Sequence, residues 1–221
     1  MNVEQAIVGR YSCRAYLDRP VPRELLEKIL DTARWSPSGA NIQPWQVAVV
    51  QGETKARLSE ALIAAFDSGA RPDPDYSYYP REWVEPYKSR RFECGMALYR
   101  ALEIDRDDKD RRLEVWKDNY RFFGAPVALF FFIDRVMGQG AWLDMGMFIQ
   151  NLMLAARDQG LETCPQASVA DYPEVVRKVL GVGDDKLLLC GLSLGYPDPG
   201  HPVNNYRTDR EPVESFTTWF D

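Results

Sequence analysis

The sequence predicts an α+β fold: a mixed, mostly antiparallel sheet surrounded by helices. Three observations carry that expectation. Two near-continuous apolar runs, Val127 to Ile133 and Leu187 to Leu194, have the length and composition of buried strands. A long apolar helical pattern, Ala141 to Gln159, lies between them. No Gly-x-Gly-x-x-Gly follows the first predicted strand and no Gly-x-x-x-x-Gly-Lys-Ser/Thr is present, so doubly wound dinucleotide-binding and P-loop architectures lose their main signals.

The elements follow in order. Val3 to Val8 reads as a short helix. Pro22 to Trp35 reads as a second, because Pro22 suits a first turn and Leu25, Leu26, Ile29, Leu30 and Ala33 share one face. The run Ser36-Pro37-Ser38-Gly39-Ala40-Asn41 stops it. Trp45 to Val50 is a strand and Thr54 to Phe66 an amphipathic helix. Asp67 to Pro86 is rich in proline and tyrosine and lacks a period; so long a connection is either a lid over a site or a passive surface loop. Helices are expected at Ser89 to Leu102 and Arg106 to Asn119. In the long helix, Trp142, Met145, Phe148, Ile149, Leu152 and Ala156 form the buried side and Gly160 the stop. Asp171 to Leu180 reads as a short helix with Asp171 as its N-cap. The tail from Asn204 carries Tyr206, Phe216, Trp219 and Phe220, aromatic surface that a partner subunit could cover.

Composition narrows the function. The 221 residues are 45% hydrophobic and 27% charged, the balance of a soluble globular chain, and a net charge of −6 argues against a nucleic-acid binder. No run is long enough to cross a bilayer, and the N-terminus lacks the pattern of a secretion signal, so a cytoplasmic location is expected. The four cysteines, Cys13, Cys94, Cys164 and Cys190, form no Cys-x-x-Cys pair and read as reduced thiols, with no metal site. The single histidine, His201, leaves triad and multi-histidine metal chemistry without residues. If the chain is an enzyme, a cofactor carries its chemistry.

Two segments could hold one. In an extended Arg10-Tyr11-Ser12-Cys13-Arg14, positions 10, 12 and 14 point to one side. Two guanidinium forks and a hydroxyl suit a phosphate, although a solvated charged face would read the same way. Ser36 to Trp45 offers hydroxyls, amides and backbone N–H groups on a stiff turn, which could approach a planar heterocycle or could simply end a helix.

Together these segments resemble the FMN-dependent nitroreductase superfamily. The resemblance spans nearly the whole chain: Arg10-x-Ser12-x-Arg14, then Ser36-Pro37-Ser38-Gly39-Ala40-Asn41-x-Gln43-Pro44-Trp45, Asn119 before Gly124-Ala125-Pro126, Gln150-Asn151, Gly160 to Gln166, Gly191 to Pro197, and Arg207 with Arg210-Glu211-Pro212. Phe122 to Pro126 and the Pro86 to Arg91 segment are most similar to the 4-nitrobenzoate reductase branch.

The resemblance implies a nitroreductase-like fold over residues 1–221, an intertwined homodimer with FMN at the interface, a lid at 67–91 and a C-terminal arm at 204–221. It implies FMN phosphate and ribityl contacts from Arg10, Ser12, Arg14, Arg210 and Arg207. Pro37, Ser38, Gly39 and Asn41 would meet the flavin from the other subunit. Asn119 would lie near the ribityl chain and pyrimidine edge, and Arg121 would be the cation facing flavin N1 and O2. Pro165, Gln166, Ala167 and Ser168 would present backbone N–H to flavin N5; many relatives have Glu-Gly where this chain has Ala167-Ser168. Tyr76, Tyr79, Trp83 and Tyr87 would stack on an aromatic acceptor.

The implied activity is NAD(P)H-dependent, two-electron, ping-pong reduction of nitroaromatics, nitro to nitroso to hydroxylamine. Reduction of quinones or activated alkenes, reductive dehalogenation of an aromatic, and a flavin-binding sensor or carrier without turnover are the alternatives.

Overall fold

A computed structural model describes residues 1–220. Its elements are helices α1 (Val3–Gly9), α2 (Arg23–Ala33), α3 (Gly52–Asp67), α4 (Tyr87–Ala101), α5 (Lys109–Lys117), α6 (Gly140–Asp158) and α7 (Pro173–Leu180), with strands β1 (Gln46–Gln51), β2 (Val127–Asp134), β3 (Glu162–Gln166) and β4 (Lys186–Gly195). The strands form one sheet in the order β1-β2-β4-β3, each neighbour antiparallel.

Strand β2 is apolar from Val127 to Ile133 because both of its faces are buried there. Leu129, Phe131 and Ile133 face α2 and α6, where Ile29, Met145, Phe148 and Leu152 meet them. Ala128, Phe130 and Phe132 face the other way, onto Leu58 and Leu62 of α3 and Val176 of α7. The strand's period of two therefore divides one continuous hydrophobic run between two cores.

Local signals set the helix ends. Asn2 caps α1, its side chain accepting from the Gln5 N–H while Gln5 reaches back to the Asn2 N–H. Asp108 caps α5 more simply, its side chain accepting from the Arg111 N–H. Gly160 follows α6 at a φ of 76°, the left-handed conformation expected at that stop. The expected cap of α7 is corrected: Tyr172 occupies the cap and Pro173 the first turn, while the Asp171 carbonyl accepts from the Asp73 N–H. Backbone geometry, set by the fixed φ of Pro173, decided the start of this helix.

Sequence reading missed β3. It is only five residues long and contains Pro165, which cannot donate to a ladder and sits exposed. Its outer side receives the N-terminal segment: Ser12 forms a parallel bridge with Thr163, and the Cys13 N–H donates to the Thr163 carbonyl at 3.0 Å. That bridge makes the edge of the sheet mixed. Beyond β3 the chain turns over β4 at Gly191, where a Cβ would fall 2.7 Å from Val169 Cγ2; glycine lets the Ser168–Asp171 turn sit directly on the sheet. None of the helices among the described residues is long and apolar enough to cross a membrane.

Candidate functional site

The site begins at the Ser12–Thr163 bridge. Arg10 and Arg14 flank it, and both charges act on the buried Cys164 thiol, which donates to the Pro165 carbonyl. Burial pushes that thiol up, against the pull of the Arg14 charge. Burial, and next the positive charge of Arg210, pull the Arg10 guanidinium below its ordinary value. The far C-terminal segment therefore comes back to the N-terminal one. Arg207 lies over the Tyr11 ring, 3.9 Å from its centroid. The Arg14 N–H donates to Asn204 Oδ1 at 3.0 Å and its Nη1 donates to the Tyr206 hydroxyl at 3.1 Å.

Among the described residues, Arg10, Arg14, Arg207 and Arg210 have no carboxylate partner, whereas Arg121, Arg135, Arg157 and Arg177 are each ion-paired. Gathering like charges without counter-charge costs free energy unless an anion completes the set. Two buried hydroxyls nearby in the fold, Thr163 Oγ1 and Ser168 Oγ, also lack a partner among the described residues. The donor set therefore fits a phosphorylated, hydroxyl-bearing ligand.

Gln166 is a structural hub: its Nε2 donates to the Asn119 carbonyl at 2.6 Å and its Oε1 accepts from Ser193 Oγ at 2.6 Å. It ties Pro165–Ser168 to the end of α5. Asn119, its Nδ2 turned to the Trp116 carbonyl, lines a cavity of about 600 Å³ together with Arg14 and Phe123. That volume is in the range of small-molecule sites.

The second predicted segment stands apart. Gly39 donates its N–H to the Asp144 carboxylate at 3.2 Å, and Ser36 Oγ accepts from Asn151 Nδ2 at 2.7 Å, so Pro37 to Asn41 is fastened along α6. Ser38 Oγ accepts from the Gln43 N–H, and Trp45 stacks on Phe148 with centroids 5.0 Å apart. Ala40, Asn41 and Gln43 have φ of 48°, 56° and 49°, a cluster of left-handed non-glycine residues whose strain the surrounding contacts hold in place. Within one chain, Asp144 beside this turn and Arg157 beside Gly9 are thirteen residues apart on α6, about 20 Å along the helix. One chain does not bring the two predicted segments together.

Two further predicted residues are held by contacts within the chain. Arg121 is held on the surface by Glu114 and Asp118, both at 3.0 Å, carboxylates that the preceding helical turns place beside it. Tyr76 is an anchor: its hydroxyl donates to the Leu189 carbonyl at 2.6 Å and its ring packs edge-on against Trp142, 4.7 Å away. The adjacent Asp75 is buried between Arg177, at 2.6 Å, and Arg135, and accepts from the Leu188 N–H. Burial alone would raise its pKa; the bonds from Arg177, Leu188 and Arg135 outweigh that and hold it below the usual value. The 67–91 segment is therefore pinned at its middle. Tyr79 packs on Trp83 at 5.4 Å between centroids, and Tyr87, more than half exposed, opens α4.

Sequence reading missed Cys164, Asn204, Tyr206 and the Arg157–Glu162 pair. The last had a signal, opposite charges on either side of the Gly160 stop. The others touch the site only through contacts about 150 to 190 residues distant in the chain.

The family model described as "Nitroreductase family" matches residues 7–196. The chain is 40% identical over 217 residues to a 4-nitrobenzoate reductase of Pseudomonas putida, covering 98% of this chain and 94% of that one. It is 36% identical to a chloronitrobenzene nitroreductase of Comamonas testosteroni, over 98% of this chain and 96% of the other. Among solved structures, the FMN and NADPH-dependent nitroreductase NfnB from Sphigopyxis sp. strain HMH superposes with a TM-score of 0.98 at 43% identity over the whole of both chains. The NfnB of Mycobacterium smegmatis, solved in complex with NADPH, does so at 0.94 and 34% identity, covering 99% of this chain and 97% of that one. The chain belongs to the nitroreductase family.

Proposed function

We propose that this protein is a cytoplasmic, FMN-dependent oxidoreductase that uses NADPH to reduce nitroaromatic compounds. The observation that carries it is the convergence of Arg10, Arg14, Arg207 and Arg210 on the Ser12–Thr163 bridge without a carboxylate among them. Such a set suits the FMN phosphate, and the unpartnered Thr163 and Ser168 hydroxyls suit the polar parts of the same molecule. The close relatives' names supply the substrate class and the donor.

When bound, FMN supplies reversible two-electron transfer between NADPH and a nitro group. The chain's task is to hold, orient and neutralise. Arg10, Arg14 and Arg210 fix the phosphate end, and Arg207, braced on Tyr11, adds a further charge. Pro165 to Ser168, positioned by Gln166, presents backbone where the chain leaves β3. His201 accepts from the Val203 N–H through Nδ1 and lines the same cavity as Asn119 and Arg14.

The strained turn at Pro37, Ser38, Gly39 and Asn41 completes the site from a second copy of the chain. Its distance along α6 from the arginine cluster supports this reading, and a two-fold axis would bring each turn to the partner's cluster. The C-terminal arm, with Phe216 71% and Trp219 78% exposed, has aromatic surface for that partner to cover. The 67–91 segment, anchored at Asp75 and Tyr76, leaves Tyr79, Trp83 and Tyr87 to act as a lid.

The test is a steady-state screen of purified protein, its flavin released and identified, with NADPH and NADH against 4-nitrobenzoate, a quinone and iodotyrosine. Fastest turnover with the nitroarene and NADPH is expected. Absence of FMN from the purified protein would sink the proposal.

A further inference from the structure

The 600 Å³ cavity opens from Arg14 into the space between α4 and α5. Its charge is unlike that of the rest of the molecule. The chain has 33 acidic and 27 basic residues, yet this cavity is lined by Arg14, Arg91, Arg106 and Arg112 against a single carboxylate, Asp118. Asp118 is already engaged by Arg121 at 3.0 Å. None of Arg91, Arg106 and Arg112 has a carboxylate partner among the described residues, while Arg90, one position away, pairs with Glu211.

These cations are held differently. Arg112 donates from Nη1 to the Arg106 carbonyl at 2.9 Å and sits 4.8 Å above the centre of the Tyr99 ring. Its Nε is buried and has no acceptor among the described residues. Arg91 rests over Trp83, 5.1 Å from the ring centre. Arg106 is exposed and its side chain makes no hydrogen bond within the chain's described residues. The walls between them include Tyr99, Trp116 and Phe123. A planar ring fits such walls, and one anionic substituent satisfies a guanidinium that has no counter-charge.

We propose that the α4–α5 cavity recognises the acceptor, and that Arg112, with Arg106 and Arg91, selects aromatic acceptors bearing a carboxylate over neutral ones. This rests on the nitroaromatic reading above and deepens it. Relatives at comparable identity differ on this point, since some are named for 4-nitrobenzoate and others for chloronitrobenzene or nitrobenzene. A cationic cavity in an acidic chain assigns this one to the anionic side. Arg112, which neither exchanges electrons nor moves a proton, is a specificity-determining residue.

The experiment compares 4-nitrobenzoate with its neutral analogue 4-nitrobenzamide at saturating NADPH, in the FMN-containing wild type and in Arg112→Gln, Arg112→Lys, Arg106→Gln and Arg91→Gln. A parallel calorimetric titration uses benzoate and benzamide, which are not reduced. Wild type should prefer the carboxylate in both measurements. Arg112→Gln should raise the KM for 4-nitrobenzoate about tenfold or more, the worth of a charge-assisted hydrogen bond, and shift the benzamide analogue less than twofold. Arg112→Lys should recover part of the preference. If Arg112→Gln does not fold, Arg106→Gln, which loses no internal side-chain contact, carries the test with a smaller loss. Equal shifts for both acceptors would overturn the inference. So would a rise in the KM for NADPH with the acceptor ratio unchanged, which would assign these arginines to the donor's phosphate. Failure of wild type to reduce any nitroarene would instead refute the reductase reading, while selective benzoate binding lost in Arg112→Gln would leave the anion site standing.

Discussion

The guanidinium of Arg157 stands where a Cβ on Gly9 would be. Gly9 is the last residue of α1 and Arg157 lies near the end of α6, paired there with Glu162 at the start of β3. Three elements thus meet at one ion pair directly before Arg10, and the charge of Arg157 acts on Arg10 as well.

Gly9→Ala should push the Arg157 side chain off Glu162. A loss of about 1–3 kcal/mol is expected, because a partly buried charge then lacks its partner. In an Arg157→Ala background the same substitution should cost almost nothing. A double-mutant cycle by denaturant unfolding checks this, and additive losses would contradict the steric account.

Arg10→Ala and Arg210→Ala should each release FMN at lower dilution than wild type, by tenfold or more in Kd, with melting of the flavin-stripped protein little changed. Arg121→Ala should retain FMN as wild type does and alter stability by less than about 1 kcal/mol, since its partners are on the surface. Fluorescence of released flavin reads all three. Loss of flavin from Arg121→Ala alone would reverse the assignment.

Asp75 predicts an acid limb. Its carboxyl is held below the ordinary value, so its contribution to stability is complete above the unfolded-state value of about 4 and disappears as pH falls through the lower folded-state value. Asp75→Asn should remove about 3 kcal/mol near neutral pH, because Arg177 is left buried without this partner, and should flatten the decline in melting temperature below about pH 4. An unchanged acid limb in the variant would show that other carboxylates govern it.

Ending the chain after Pro212 keeps Arg207 and Arg210 but removes Phe216, Trp219 and Phe220, all largely exposed on their own chain. Sedimentation should show a weaker dimer, with far-ultraviolet dichroism unchanged. A dimer of undiminished affinity would rule out the arm as the partner's cover.

Local pattern alone determined the α+β class, the two central strands and α6. A residue buried on both faces must be apolar, and an apolar run of strand length between turn residues has few other uses. The dispersed cations Arg10, Arg14, Arg207 and Arg210 were also legible, because together they match a family's order of motifs. Tertiary structure decided the rest. β3 is short and carries a proline, so it becomes a strand only through β4 on one side and Ser12 on the other. Tyr76 reads like its neighbours Tyr78 and Tyr79; only the Leu189 carbonyl and Trp142 make it an anchor. Arg121 and Arg112 are the same side chain nine positions apart. Glu114 and Asp118 neutralise the first, while the second lies over Tyr99 with a buried nitrogen left unpaired. Sequence specifies which charges exist, but their partners are set by distances that close only when the chain folds.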